Sequence, residues 1–171
     1  RLCQMRFTTP YAQSNITPLV HKTKLIRSGL ETATFAIEPR PDARGNWQLH
    51  KVWRRDELSM YMSSPVTAGN LVFGLADRRK GQLFCLDAET GDILWTSDGR
   101  EGDNASLILA GDQLVVLTTE GVLQIGPASR DGWEPTVTWS VADSPTWAHL
   151  AFLGDRILVK DKTGPAAWAL D

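Results

Sequence analysis

A period of about 42 residues runs through this chain. Glycine recurs at this spacing in turns that precede strands, at Gly69, Gly111 and Gly154, and tryptophan recurs near strand ends at Trp53, Trp95 and Trp139. The triplet Cys85-Leu86-Asp87 returns two periods later as Ala169-Leu170-Asp171. A repeat of this length is a supersecondary unit that cannot bury its apolar face alone, so neighbouring units must stack. The chain is therefore expected to fold as an array of about four similar units.

Each unit is predicted to consist of short strands. Apolar residues alternate over runs of a few residues, and Gly, Pro, Asp and Asn separate these runs. Such alternation is typical of half-buried strands, whereas a long apolar stripe with helical period is missing from the sequence. Four strands in about 42 residues predict one blade of a β-propeller. The expected fold class is an all-β propeller of four-stranded antiparallel blades, with about four blades in this chain.

The same markers divide the single domain 1–171 into blades. The blades are predicted at residues 16–54, 63–97, 104–141 and, without an outer strand, 146–171. Residues 1–10 are predicted to supply the outer strand of a preceding or closing blade, which would remove an exposed sheet edge. A longer loop from Pro39 to Gly45 is expected to separate the last two strands of the first blade.

The stretch from Gln82 to Trp95 is the clearest hairpin. Its turn contains Asp87 and Thr90, which can bond turn amides, and Gly91, which can adopt positive φ without a steric penalty. With Asp87, Thr90, Gly91 and Trp95 at these spacings, the stretch resembles the tryptophan-docking motif of the PQQ-like (quinoprotein-type) β-propeller repeat family. The resemblance covers essentially the whole chain, although only the second unit matches the motif fully.

This resemblance implies a structural role for the motif. In that family the docked tryptophan lies between adjacent blades, and the rings commonly have seven or eight blades. The chain is thus expected to complete a larger ring with further chain or with a second copy of itself. The resemblance to the non-enzymatic outer-membrane assembly lipoprotein members also implies a scaffold role and an extracytoplasmic location, in the periplasm or cell envelope.

Charge and cysteine content restrict the possible functions. The 18 Lys and Arg residues against 20 Asp and Glu residues give a net charge of −2 and no basic face for nucleic acid, and no apolar run is long enough to span a membrane. Cys3 and Cys85 are too far apart in the sequence for a metal site of closely spaced cysteines. A PQQ-dependent quinoprotein dehydrogenase is the enzymatic alternative, but the sequence shows neither a Ca²⁺ cage nor a Cys-Cys pair. No cofactor and no metal are expected.

The candidate binding residues lie in the connections between blades. These connections reach one mouth of the central channel and carry large amphipathic side chains, which suit the binding of a protein partner or a small ligand. The candidates are Asn15, Tyr61, Asn104, Trp147 and His149. The alternative for these residues is that they plug the channel or pack between blades. For the whole chain, a peripheral subunit of a membrane-associated complex is a further alternative.

Overall fold

Antiparallel strands make up nearly all of the regular structure in the computed structural model, which describes residues 16–170. The strands are β1 (Leu19–His21), β2 (Lys24–Gly29), β3 (Thr32–Pro41), β4 (Trp47–Arg55), β5 (Val66–Ala68), β6 (Leu71–Ala76), β7 (Gln82–Asp87), β8 (Ile93–Thr96), β9 (Ala105–Ala110), β10 (Gln113–Thr118), β11 (Val122–Pro127), β12 (Val137–Ser140), β13 (Ala151–Leu153), β14 (Arg156–Lys160) and β15 (Pro165–Ala169). A short 3-10 turn at Arg78–Lys80 lies between β6 and β7.

These strands form four sheets, each built from consecutive strands. The first three sheets contain four strands each (β1–β4, β5–β8 and β9–β12), and the last contains three (β13–β15). Every strand pairs antiparallel with the next strand of its sheet. The predicted all-β propeller with about four antiparallel blades is confirmed. We call the four sheets blades 1 to 4.

The core lies between adjacent blades. Because side chains alternate across a strand, successive residues of a middle strand face opposite neighbours. Phe84 of β7 packs toward blade 1, whereas Leu83 and Cys85 pack toward blade 3. The layer between blades 3 and 4 includes Val115 and Ile157. The stacking of units expected from the repeat is thus achieved through three apolar layers between blades.

Two of the predicted elements fall partly or wholly outside the described residues. The proposed outer strand at residues 1–10 lies outside them, and so does Asp171 at the end of blade 4. Within the described part of the chain, β15 pairs with β14 alone.

Blade 1 departs from the expected loop after its third strand. Instead of ending before Pro39, β3 continues through Pro41 and pairs with β4, and a tight turn at residues 42–46 joins the two strands. The prediction of a loop from Pro39 to Gly45 was therefore wrong for its first half. Pairing between β2 and β3 ends at Ile37, so the ring nitrogens of both prolines, which carry no hydrogen, face an edge that no other strand among residues 16–170 pairs with. Proline costs no ladder hydrogen bond at such an edge.

Candidate functional site

One end of the propeller gathers two kinds of loop. Turns alternate between the ends of an antiparallel meander, so the turn between the second and third strands of each blade lies at the same end as the connection to the next blade. Tyr61, Asp103 and Trp147, which belong to three successive connections, line a common cavity of about 490 Å³ at this end. Leu30 of blade 1 and Lys80 of blade 2 line it as well. We call this surface the rim.

Trp147 is the most prominent side chain of the rim. Its side chain is 51% exposed although it is large and apolar. It also lines a cavity of about 420 Å³ with Asp103, Glu120 and Asp143, and another of about 600 Å³ with Lys160 and Lys162. Carboxylates thus line the first cavity beside the exposed indole, and two ammonium groups line the second together with the carboxylate of Asp161.

Hydrogen bonds within the loops hold the rim in place next to Trp147. The backbone N–H of Thr146 donates to the carbonyl of Thr119 at 3.1 Å, which joins the connection to blade 3. Ser144 Oγ donates to Asp161 Oδ2 at 2.7 Å, which joins it to blade 4. This bond from Ser144, together with bonds from Thr163, lowers the pKa of Asp161 well below its usual range. The same arrangement occurs in blade 2, where Ser59 Oγ donates to Asp77 Oδ1 at 2.6 Å.

The five candidate residues occupy different environments. Tyr61 and Trp147 line the same cavity of about 490 Å³. Asn104 is only 8% exposed, and its Oδ1 accepts a hydrogen bond from Ser63 Oγ. His149 is exposed, but its Nδ1 lies 2.9 Å from Ser106 Oγ. Asn15 lies outside the described residues.

Asn104 and His149 are part of a repeated link between inner strands. Ser63 Oγ accepts a hydrogen bond from the backbone N–H of Ala105 at 2.9 Å, and Ser106 Oγ accepts one from that of Leu150 at 3.4 Å. Each serine thus bonds both a side chain and a main-chain amide of the next blade. This network ties the inner ends of neighbouring blades together, and neither Asn104 nor His149 lines the three rim cavities.

Other rim residues were not anticipated from the sequence. Glu120 and Lys80 line cavities, yet each occupies a turn in which a charged residue is ordinary, whereas Asp103 lies in a connection already expected at the rim, next to Asn104. The one usable signal was position, because these turns follow the second strand of a blade. Charge type alone could not separate them from turns at the opposite end of the propeller.

The residues of the docking motif form a turn, and the indole of Trp53 from the preceding blade packs on that turn. Asp87 Oδ1 accepts hydrogen bonds from the backbone N–H groups of Glu89 and Thr90, at 2.8 and 3.1 Å. Gly91 has φ of 74°, and a Cβ at that position would lie 2.5 Å from Cδ2 of Trp53. Trp53 of blade 1 therefore rests directly on the turn of blade 2, and its indole N–H donates to the carbonyl of Ala88 at 3.0 Å.

Trp95 of the motif makes the equivalent contact one blade further on. Its indole N–H donates to the carbonyl of Ser129 in blade 3 at 3.0 Å, across the interface between blades 2 and 3. Each of these tryptophans thus leaves the outer strand of one blade and bonds the next blade. The geometry fastens blades to one another and leaves both indole N–H groups satisfied.

Titratable groups outside the rim are mostly engaged in structural contacts. Glu89 receives hydrogen bonds from Lys22, Lys24 and His21, and these lower its pKa to about 2, with Lys22 the largest cause. Burial raises the pKa of the Cys85 thiol to about 12. Among residues 16–170, no three His, Cys, Asp or Glu side chains come together in a way that could hold a metal ion. No helix in this part of the chain is long and apolar enough to cross a membrane.

Three four-stranded sheets and one three-stranded sheet, stacked face to face and joined by the hydrogen bonds of Trp53 and Trp95, place the chain in the class of β-propellers. More specifically, the family model described as outer membrane protein assembly factor BamB matches residues 11–97 and 49–167. The chain belongs to this family, which confirms the resemblance found in the sequence. No match to a curated protein was found.

Solved structures show the same fold at low sequence identity. BamB from Moraxella catarrhalis is 17% identical, with a TM-score of 0.66 over 90% of this chain and 43% of that chain. The computationally designed Ika8 protein gives 0.65 at 15% identity, over 90% of this chain and 45% of that one. The computationally designed Ika4 protein gives 0.65 at 14% identity, over 99% and 100%. This chain thus spans less than half the length of BamB.

Proposed function

We propose that this chain is a non-enzymatic propeller scaffold that binds a protein partner at the rim, with Trp147 and Tyr61 as the principal contacts. The observation that carries the proposal is the half-exposed indole of Trp147 at the meeting point of three cavities. Tryptophan and tyrosine are the side chains that most often dominate protein interfaces, because they bury a large area with few rotatable bonds.

The environment of Trp147 supports partner binding over the alternative role as a channel plug. A plug would be expected to lose most of its exposure to packing against the inner strands. Instead, the indole stands above a loop that is already held by the bonds of Ser144 and Thr146. A binding loop that is ordered before the partner arrives loses less conformational entropy on association.

Family membership supports the remaining parts of the proposal. The matching family is named for an outer membrane assembly factor, so we place this chain in the periplasm or cell envelope, with a partner that belongs to a membrane-associated complex. The scaffold needs neither PQQ nor calcium in this role. A purified sample with no PQQ absorbance but full partner binding would support that part.

We also propose that the end blades are covered by a partner or by a second copy that completes a larger ring. Val20 on the outer face of blade 1 is 74% exposed, and Leu153 on the outer face of blade 4 is 62% exposed. The greater length of BamB supports this, because the part of BamB outside the match would form further blades of its ring. Sedimentation equilibrium tests the second copy directly, since a strict monomer with the same far-ultraviolet spectrum would contradict it.

Site-specific photocrosslinking in cells tests the rim. A photoreactive phenylalanine analogue at position 147 or 61 is expected to trap one envelope protein, identified by mass spectrometry, whereas the analogue at position 139 should not. Trp139 is the matched control because it is a tryptophan of similar exposure, 41%, on the outer strand of blade 3. In parallel, Trp147→Ala is expected to abolish capture of that protein without changing the urea midpoint appreciably. Unfolding of this variant would favour the channel plug, and equal crosslinking at all three positions would refute the rim site.

A further inference from the structure

The extension of β3 and β4 beyond blade 1 forms a two-stranded arm. Residues 38–41 pair with residues 47–50, whereas β2 pairs with β3 only as far as Ile37. The third strands of the other blades have five or six residues, against ten in β3. The arm begins at the end of blade 1 opposite Leu30, so it points away from the rim. The rim therefore does not account for it.

The two faces of the arm differ in character. The pairs Pro39 with Leu49 and Pro41 with Trp47 place four apolar side chains on one face. The opposite face carries Glu38, Arg40, Gln48 and His50. Trp47 is 49% exposed, and Leu49 is 41% exposed. An ordered hairpin with one apolar, water-exposed face has the composition of an interaction surface rather than of a spacer.

The backbone of the arm has an open edge next to these side chains. Asp42 and Asn46 form a hydrogen-bonded pair, with the N–H of Asp42 donating to the carbonyl of Asn46 at 2.8 Å. Hydrogen-bonded and non-bonded pairs alternate along an antiparallel ladder, so Trp47 and Leu49 occupy non-bonded positions opposite the prolines. Their N–H and C=O groups point away from β3, and no other strand among residues 16–170 pairs with β4.

The two edges of the arm are not equivalent. On the β3 edge, Pro39 and Pro41 remove the N–H groups that an added strand would need. On the β4 edge, Trp47 and Leu49 keep theirs. The ladder is irregular where Val52 bulges, between the partners Lys51 and Trp53, which ends the regular edge after about four residues. Only a short extended segment therefore fits along β4.

The turn holds the arm in this shape. The Oδ1 atom of Asp42 accepts hydrogen bonds from the backbone N–H groups of Arg44 and Asn46, both at 2.8 Å, and Gly45 adopts a φ of 75°. On the polar face, Arg40 is paired with Glu38, which also accepts a hydrogen bond from Thr23. An edge that is rigid before binding costs little entropy to pair.

The charges near the apolar face indicate which sign of charge a partner should carry. Lys51 lies on that face, opposite Ile37, and Arg54 lies further along it, opposite Phe35. Arg54 is bonded to Asp56, and the Asp56 carboxylate is also within electrostatic reach of Lys51, so these two cations and one carboxylate together carry a net positive charge on this side of the arm. The acidic residue of the arm strands, Glu38, lies on the other face. The surface is thus complementary to an apolar segment that carries a carboxylate.

From these observations we propose that the arm binds a partner protein by strand addition. A short extended segment pairs with the backbone of Trp47 and Leu49, its alternate apolar side chains cover the indole and Leu49, and an Asp or Glu side chain reaches Lys51. Strand addition derives its affinity from main-chain hydrogen bonds and its specificity from alternate side chains. This site is separate from the rim, so either site can fail its test while the other holds.

A strand-forming peptide tests the proposal with the full chain. The probe is a capped seven-residue peptide that alternates valine and threonine and carries a glutamate at each end, titrated into ¹⁵N-labelled protein up to a few times 1 mM. The expected result is saturable shifts of the Trp47 and Leu49 amides, with slower hydrogen exchange at both. The same peptide with lysine at each end should bind at least about fivefold more weakly, because its charges repel Lys51.

Two variants of Leu49 distinguish the contribution of the backbone to peptide binding from that of the side chain. Leu49→Pro removes an N–H that the β3–β4 ladder does not use, so the arm should remain folded while peptide binding falls at least about tenfold. Leu49→Ala removes the side chain but keeps the N–H, so binding should fall severalfold less than in Leu49→Pro. Trp47→Ala should weaken binding about tenfold, whereas Trp139→Ala, a change of the same residue type on blade 3, should have no effect.

Several results would overturn strand addition by a partner. Absence of saturable binding would do so, and so would equal affinity for wild-type and Leu49→Pro protein. A dimer in sedimentation that is lost in Leu49→Pro would assign the edge to a second copy instead. Binding to vesicles of an anionic phospholipid that needs Trp47 and survives Leu49→Pro would assign the apolar face to a lipid surface.

Discussion

Trp53, Trp95 and Trp139 hold the same position in the repeat, yet the structure predicts very different consequences of replacing them with alanine. Trp53 is 6% exposed, packs on Gly91 and donates to the carbonyl of Ala88. Trp95 is half-buried and donates to the carbonyl of Ser129. Trp139 is 41% exposed. The loss of stability should therefore decrease in the order Trp53, Trp95, Trp139.

The magnitudes follow from burial. A tryptophan side chain buries about 200 Å² when fully covered, which corresponds to an upper estimate of about 5 kcal/mol at about 25 cal/mol per Å². Large-to-small changes of aromatic core residues cost about 3–5 kcal/mol, so Trp53→Ala is expected to cost about 4 kcal/mol. Trp139→Ala should cost about 1–2 kcal/mol, because much of the ring is already in water and its removal leaves no closed cavity. Trp53→Phe should lose about 1–2 kcal/mol, mainly through the hydrogen bond to Ala88.

Urea denaturation followed by far-ultraviolet circular dichroism measures this series without relying on tryptophan emission. All variants must be compared at one protein concentration, since any association would shift the midpoint. Equal destabilisation by Trp53→Ala and Trp139→Ala would refute the reasoning. It would mean that the position in the repeat, rather than the burial of the side chain, determines the loss of unfolding free energy. If Trp53→Phe is as unstable as Trp53→Ala, the stabilisation by Trp53 comes from its hydrogen bond and not from the buried ring.

Three further predictions concern the turn, an ion cluster and the buried thiol of Cys85. Gly91→Ala should cost at least about 3 kcal/mol, since positive φ and a clash with Trp53 act together, whereas Gly69→Ala, with positive φ in open space, should cost about 1 kcal/mol; urea midpoints decide, and equal losses would contradict the packing argument. The pKa of Glu89 is lowered from 4.5 to about 2, so its contribution to stability is present above pH 4.5 and is lost as the pH falls toward 2. Glu89→Gln should flatten this acid limb of the stability profile, and an unchanged limb would argue against the cluster. Because burial raises the pKa of Cys85 to about 12, its thiol should resist Ellman's reagent at pH 8 in a Cys3→Ser variant until urea unfolds the chain; rapid labelling of that folded variant would disprove the burial.

The blades were predictable because their signals are local. The alternation of apolar residues, the turn residues and the 42-residue period all act within one hairpin or between adjacent ones. Sequence reasoning therefore identified the fold class and the family. It missed the arm, because a proline normally terminates a strand. Pro39 and Pro41 are acceptable in β3 because no strand in the described part of the chain pairs with this edge beyond Ile37.

The binding surface was harder to predict than the fold. The connections between blades were placed correctly at one end by topology, but residue type could not show which side chains remain exposed. Trp147 is half-exposed, whereas Asn104 is buried against Ser63. Both lie in connections between blades, and the difference arises because Asn104 packs against the hydroxyl of Ser63, whereas about half of the Trp147 side chain is left uncovered.

The sequence by itself thus determined the repeat, the strands and the turn geometry of Asp87 and Gly91, since these depend on backbone preferences and on the two-residue period of a strand. Tertiary structure decided which tryptophan is buried, which edge of the arm is open and which rim side chain faces water. The physical reason is that exposure depends on the neighbouring blade, and the repeat pattern is the same whether or not that neighbour covers a given side chain. Trp53 and Trp139 occupy one repeat position, and only the blade packed against each makes the first a buried fastener and leaves the second half in solvent.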